Sequence, residues 1–171
     1  AEGSMDDHPL SERVDTILQE LRLQGRLVDS DRPLQQFICS GAIAVEWGDD
    51  QLYQLVCYLQ EFFFIRRDCL SNWCVCLSQA TLSNARLRLL RVLGFSHLRI
   101  TIRNRINSPA ELEQAAAMIG QARRLGMERI GVDLILDQGE ESGLSAELQR
   151  FLVTSDPDRI QLRGGVEGYQ S

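Results

Sequence analysis

An α/β fold with parallel strands is predicted by three features of this 171-residue sequence. Two amphipathic helices each end at a glycine and are followed within a few residues by a short apolar strand. One helix stops at Gly94 ahead of His97–Ile102, and the other runs from Pro109 to Leu125, stops at Gly126 and leads into Arg129–Leu136. The stretch "LQQFICSGAIAV" is almost continuously apolar, the pattern of a strand covered on both faces. Helix and strand candidates also alternate strictly along the chain, five of each, as in repeated βα units. Such units gather functional groups at the carboxyl ends of their strands, which is where chemistry is sought.

Each element has its own signal. Ser11 is placed to cap a first helix reaching Gln24, with Leu10, Val14, Ile17, Leu18 and Leu21 at helical spacing and Gly25 as its stop. After a polar loop holding Pro33, the first strand covers about Gln36–Ser40. Asp49 or Asp50 starts the next helix, which extends to about Phe64 and carries Leu52, Leu55, Val56, Leu59, Phe62 and Phe63 on one stripe. Trp73–Leu77 is the second strand, followed by a helix from about Ser83 to Leu93. Beyond His97–Ile102, Ser108 caps and Pro109 opens the long helix. A polar loop, "DQGEESGLS", separates Arg129–Leu136 from a helix ending near Val153, and Arg159–Leu162 is the fifth strand. Five strands are too few for a closed eight-stranded barrel, so the order predicts either an open half-barrel or a doubly wound sheet with right-handed crossovers.

Composition bounds the function classes. With 44% hydrophobic and 25% charged residues the chain has enough apolar surface for one core. The expected division is a tag remnant and flexible start at 1–10, a single α/β domain at 11–163, and a flexible tail at 164–171. A net charge of −6 argues against a general nucleic-acid surface. No run approaches a membrane span, and the start "AEGSMDDHPL" carries no signal pattern, so a cytoplasmic protein is expected. The five cysteines, Cys39, Cys57, Cys69, Cys74 and Cys76, lack disulfide-scaffold spacing and read as reduced thiols.

The blocks "ERVDTILQELRL", "LQQFICSGAIAVEWGDDQLYQLVCYLQEFF", "ATLSNARLRLLRVLGFSHLRITI", "AAAMIGQARRLGMERIGVDLIL" and "DPDRIQL" fall in an order and spacing that resembles the radical SAM enzymes of the oxygen-independent coproporphyrinogen III dehydrogenase type, with their haem-chaperone branch. The resemblance runs from about Ser11 to Leu162 and implies an open, partial TIM-like (βα) barrel. It also implies a cofactor apparatus that this sequence largely lacks. The family's Cys-x3-Cys-x2-Cys cluster motif, carried on a first strand, is absent from the sequence; the nearest spacing is Cys74-x-Cys76. The family's Gly-Gly-Gly-Thr-Pro loop, which lets backbone approach S-adenosylmethionine, is matched by Ser40-Gly41-Ala42-Ile43-Ala44, which keeps Gly41 alone. A ribose-binding glutamate and a following proline are matched by Cys76 and Gln79, and the family's Gly-Val-Gln tract by Thr101-Ile102-Arg103. The segment after that tract is shortened to "NRINS", and Asp133 matches a family carboxylate.

Several residues remain open to two readings. Cys74 and Cys76 stand two apart on a strand and point to one face, as a metal pair or as buried core thiols. His97 and His8 are potential iron ligands or ordinary surface and cap histidines. Arg99, Arg103 and Arg105, with Arg123 and Arg124, can collect an anion such as a propionate or phosphate, although the last two read more simply as a solvated helix face. Gly41, Arg103, Arg105 and Asp133 are thus the cofactor-site candidates, and Cys74, Cys76 and His97 the metal candidates. "GEESG" at 139–143 is a cation site or a polar loop. Four bulky residues in a row, Phe62-Phe63-Phe64-Ile65, cannot all face one core and point to core packing or a partner interface. No Ser/His/Asp arrangement, Gly-x-Ser-x-Gly elbow or Gly-Lys-Ser/Thr phosphate loop is present.

The resulting expectation is a non-catalytic, truncated radical-SAM-like domain acting as a protein-interaction or regulatory module, without a cofactor, and binding itself as a homodimer or another protein rather than nucleic acid or membrane. Its alternatives are a subunit of a split radical SAM enzyme, which would bind S-adenosylmethionine, and a haem- or tetrapyrrole-binding protein without redox chemistry.

Overall fold

The structure, a computed structural model, describes residues 10–28, 33–65, 73–78, 82–103, 108–136 and 144–164. Eleven elements follow one another among the described residues. They are α1 (Leu10–Leu27), β1 (Phe37–Ser40), α2 (Gly41–Glu46), α3 (Asp49–Phe62), β2 (Trp73–Ser78), α4 (Asn84–Val92), β3 (His97–Arg103), α5 (Pro109–Arg124), β4 (Arg129–Leu136), α6 (Ala146–Ser155) and β5 (Arg159–Gly164). The strands form one parallel sheet in the order β1-β2-β3-β4-β5. A doubly wound sheet reverses its strand order at a switch point. Uniform progression with right-handed crossovers instead lays every connecting helix on one side, so the fold is the open partial barrel.

The two helix–glycine–strand units are built alike. Gly94 and Gly126 take φ of 103° and 82°, where a side chain would be strained. In each, the glycine N–H bonds back to Arg91 or Arg123, and the next residue, Phe95 or Met127, bonds to Leu90 or Ala122. These are Schellman closures, each burying its following apolar residue. Ser83, Ser108 and Ser145 cap the starts of α4, α5 and α6 by accepting from Arg86, Glu111 and Leu148 N–H groups.

Four expectations are corrected. Helix α1 begins at Leu10 and runs through Gly25 to Leu27, so Ser11 lies inside it and Gly25 is not its stop. Gly25 is needed for another reason: a Cβ there would stand 2.4 Å from the Phe62 Cβ, so its bareness lets α1 and α3 meet. The apolar run after Pro33 divides into a short strand and the helix α2, which adds a sixth helix and breaks the strict alternation. Strand β1 is an edge strand covered on one side only, and Ile38 on its other side is 49% exposed. Helix α3 stops at Phe62, where Phe63 turns extended and Phe64 joins a bridge to Pro33.

The core lies between the sheet and the helices. Trp73, Val75, Leu77, Leu98, Ile100, Ile102, Ile130, Val132 and Leu134 supply its sheet side. Trp73 is the largest of these, edge-on to Phe37 and Phe95 at centroid distances of 5.3 and 5.6 Å. Arg86 ties α4 to the α2–α3 junction, donating to the Trp47 carbonyl and to Asp49, both at 2.8 Å. Among the described residues no helix is long and apolar enough to cross a membrane. Arg105, Cys69, His8, Gln79 and the "GEESG" segment lie outside the described residues.

Candidate functional site

Strand alternation sorts the sheet into two faces. Residues paired across a parallel sheet share a side, so the ladder fixes the second face from register alone. Ile38 and Ser40 pair with Cys74 and Cys76; these pair with His97 and Arg99; and Arg99, Thr101 and Arg103 pair with Gly131, Asp133 and Ile135. Gly131, Asp133 and Ile135 in turn pair with Arg159, Gln161 and Arg163. Among the described residues, most side chains on this side stay at least partly accessible. The core residues Val75, Leu98, Ile100, Ile102, Ile130, Val132 and Leu134 occupy the opposite parity.

The open face is rich in one kind of charge. All 18 basic residues of the chain are arginines, and five of them, Arg99, Arg103, Arg129, Arg159 and Arg163, fall on this face. Asp133 is the carboxylate among the paired strand positions opposite them. Its Oδ2 accepts from Arg163 at 2.9 Å and its Oδ1 from Arg99 at 3.3 Å, although the Asp133 side chain is 9% exposed. Arg99 also donates to the Gln161 Oε1 at 2.9 Å, crossing β4 to reach β5. Gly131 makes that crossing possible, since its absent Cβ would stand 3.5 Å from Arg99 Cγ and a longer side chain would occupy the path. The guanidiniums are planar forks suited to carboxylate or phosphate.

Beside Arg99, the Sγ atoms of Cys74 and Cys76 stand 3.9 Å apart. They share a face, as their spacing predicts; Cys74 is buried and Cys76 half-buried. The pair shares protons unequally. Hydrogen bonding to Cys76, reinforced by burial, pushes the Cys74 thiol up. The same bond, helped by Arg99 and opposed by burial, draws Cys76 down to about 7. Burial pushes Cys39 up to about 12. Iodoacetamide is therefore expected to modify Cys76 first, with a rate that rises through about pH 7. Cys74→Ala removes the donor and should move that midpoint upward, as peptide mapping of the alkylated chain would show.

His97 pairs with Cys74 in the ladder, but burial and Arg129 lower its pKa, and Glu128 also acts on it. The structure thus brings Cys74, Cys76, His97, Arg99, Arg103 and Asp133 to one face and leaves other candidates elsewhere. Arg123 bonds to the Asp156 carbonyl and pairs with Asp158 at 3.6 Å, fastening α5 to the turn before β5, while Arg124 is exposed on α5. Phe62 lies against Tyr58 and over Gly25, Phe63 and Ile65 pack on the core, and Phe64 is exposed. A cleft of about 110 Å³ between α5 and α6, lined by Leu112, Ala116, Arg150 and Phe151, belongs to the helical side. Gly131, Gln161, Arg159 and Arg163 were not singled out in the sequence; the signal that finds them is shared parity across paired strands.

The S-adenosylmethionine apparatus can be tested on the same residues, and they do not fit it. The segment matched to the glycine-rich loop is the helix α2, with Ser40 as its N-cap. A Cβ on Gly41 would come within 3.0 Å of the Cys76 carbonyl and 3.3 Å of Leu77 Cα, so this glycine serves the packing of α2 on β2. Cys76, which the resemblance sets at the position of the ribose carboxylate, presents a thiol, and among the described residues no three His, Cys, Asp or Glu side chains are grouped to hold a metal ion.

No family model matches the chain, and no curated protein matches it in sequence. Among solved structures it is similar to coproporphyrinogen III oxidase (HemN) from Escherichia coli, described as a radical SAM enzyme, with a TM-score of 0.73 and 19% identity. The match covers 96% of this chain and 39% of that one, so the chain spans well under half the length of its structural relative. At that identity the likeness is one of fold: these residues adopt the parallel α/β architecture of part of a radical SAM enzyme, the family its sequence blocks resemble.

Proposed function

We propose that this chain is a non-catalytic binding module on a radical SAM scaffold, and that its open sheet face receives an acidic protein surface. The observation that carries this reading is the set of five arginines on the same face of β3, β4 and β5, opposite the core, in a chain of net charge −6. An acidic chain that concentrates cations on one face has an electrostatic preference for a carboxylate-bearing partner there. The loss of the backbone cradle at α2 and of the ribose carboxylate at Cys76 supports binding over cofactor chemistry. Two copies placed face to face would oppose arginine to arginine, which directs self-association to the sheet edges instead.

A fluorescently labelled oligoglutamate peptide provides the test. Its anisotropy is expected to rise on titration with the chain, and the affinity to fall about tenfold between roughly 50 and 300 mM salt. The Arg103→Gln/Arg159→Gln/Arg163→Gln variant should lose most of that binding. Unchanged affinity in the variant, or preference for an oligonucleotide over the peptide, would contradict the proposal. The same arginines favour a second reading, a tetrapyrrole held by its carboxylate arms. Haem titration, with a Soret shift removed by Arg103→Ala or His97→Ala, is its readout.

A further inference from the structure

We propose that Cys74 and Cys76 form a two-thiolate site for a soft monovalent cation of the copper(I) class on the open face of β2. The sulfurs stand 3.9 Å apart, about half an ångström short of the roughly 4.4 Å between two thiolates on opposite sides of one two-coordinate ion, a difference that rotation of the half-exposed Cys76 side chain supplies. A disulfide needs them at about 2.05 Å. Closing that gap would pucker the strand between two residues separated only by Val75. Val75 is fully buried on the opposite side, and β2 is laddered to β1 and β3, so the backbone is held against it. A bridging ion asks for a small side-chain rotation, whereas a disulfide would need the sulfurs to close by about 1.9 Å.

Donor number selects the ion. Thiolates favour soft metals, and zinc with its four ligands would need two more donors. Among the described residues no third Cys, His, Asp or Glu completes such a group. Two sulfurs satisfy copper(I), which accepts a low coordination number. Binding releases two thiol protons to solvent and leaves a bis-thiolate complex of charge −1. Arg99, the ladder partner of Cys76, is placed to balance that charge. Half-exposed Cys76 on the face opposite the core provides the entry path. This site uses none of the arginines on which acidic-partner binding depends except Arg99, and either can fail without the other.

The test is anaerobic titration of the reduced chain against copper(I) held by the chromophoric chelator bicinchoninate. One equivalent is expected to leave the chelator, and alkylation followed by mass mapping should find Cys74 and Cys76 protected while Cys57 remains modified. Cys76→Ser, at a half-exposed position, should weaken the site by about 100-fold through loss of ring closure, whereas Cys57→Ser should not. The proposal is overturned if the unmodified chain leaves the ion with the chelator, if Cys76→Ser withdraws it equally well, or if protection falls on other cysteines. The protection pattern is read on the unmodified chain and stands even where a variant does not fold.

Discussion

Asp133→Asn is expected to destabilise the protein while tightening its grip on an anion. Asp133 accepts from both Arg99 and Arg163 from a largely buried position. Asparagine keeps the shape but loses the charge, and its amide group turns donors toward a guanidinium. Removing one member of a buried pair costs several kcal/mol; the partial exposure of both arginines lowers this to about 2 kcal/mol. For a chain of this size that corresponds to a fall of about 4–8 °C in Tm. The same substitution releases two guanidiniums into the open face, so oligoglutamate affinity should rise, measured by anisotropy on folded protein below the transition. A variant that loses stability and affinity together would mean that Asp133 organises the binding surface rather than competing with its ligand.

A larger loss is expected from Trp73→Ala. Trp73 is fully buried under the site, at the first position of β2, and is ringed by Phe37 and Phe95. Its truncation removes two edge-on aromatic contacts and leaves a cavity, a cost of about 4 kcal/mol. Among the described residues the indole Nε1 finds no hydrogen-bond partner, so the side chain contributes by volume and ring contact. Trp73→Phe should accordingly cost much less than Trp73→Ala in urea denaturation. Equal midpoints for the two would remove Trp73 from its place as the support of β2.

The repeated units were legible because their signals are local. A glycine after a helical stripe, a serine before one and a proline at the first turn act within a few residues, and Gly94, Gly126, Ser108 and Pro109 all take the positions their chemistry predicts. Gly25 misled because its reason is tertiary: what it avoids is Phe62, more than thirty residues away, and no local pattern records that contact. The split of the first apolar run into β1 and α2 was hidden likewise, since an unbroken apolar stretch fits a strand or a buried helix equally well. Cys74 and Cys76 were placed on one face correctly, because a period of two is enough to do so. The arginine face was only half visible. Arg99 and Arg103 stood out on one strand, but Arg159, Gln161 and Arg163 join them through strand register, and Arg123 left the group once its partners at the α6–β5 turn were seen.

The claim that the open sheet face binds an acidic surface is tested most directly by following arginine side-chain Nε–Hε resonances in an isotope-labelled chain during oligoglutamate titration. Shifts should concentrate on Arg99, Arg103, Arg129, Arg159 and Arg163. Arg88, Arg124 and Arg150, which belong to α4, α5 and α6, should stay in place. Shifts confined to those helical arginines, with the strand arginines unmoved at saturation, would contradict it.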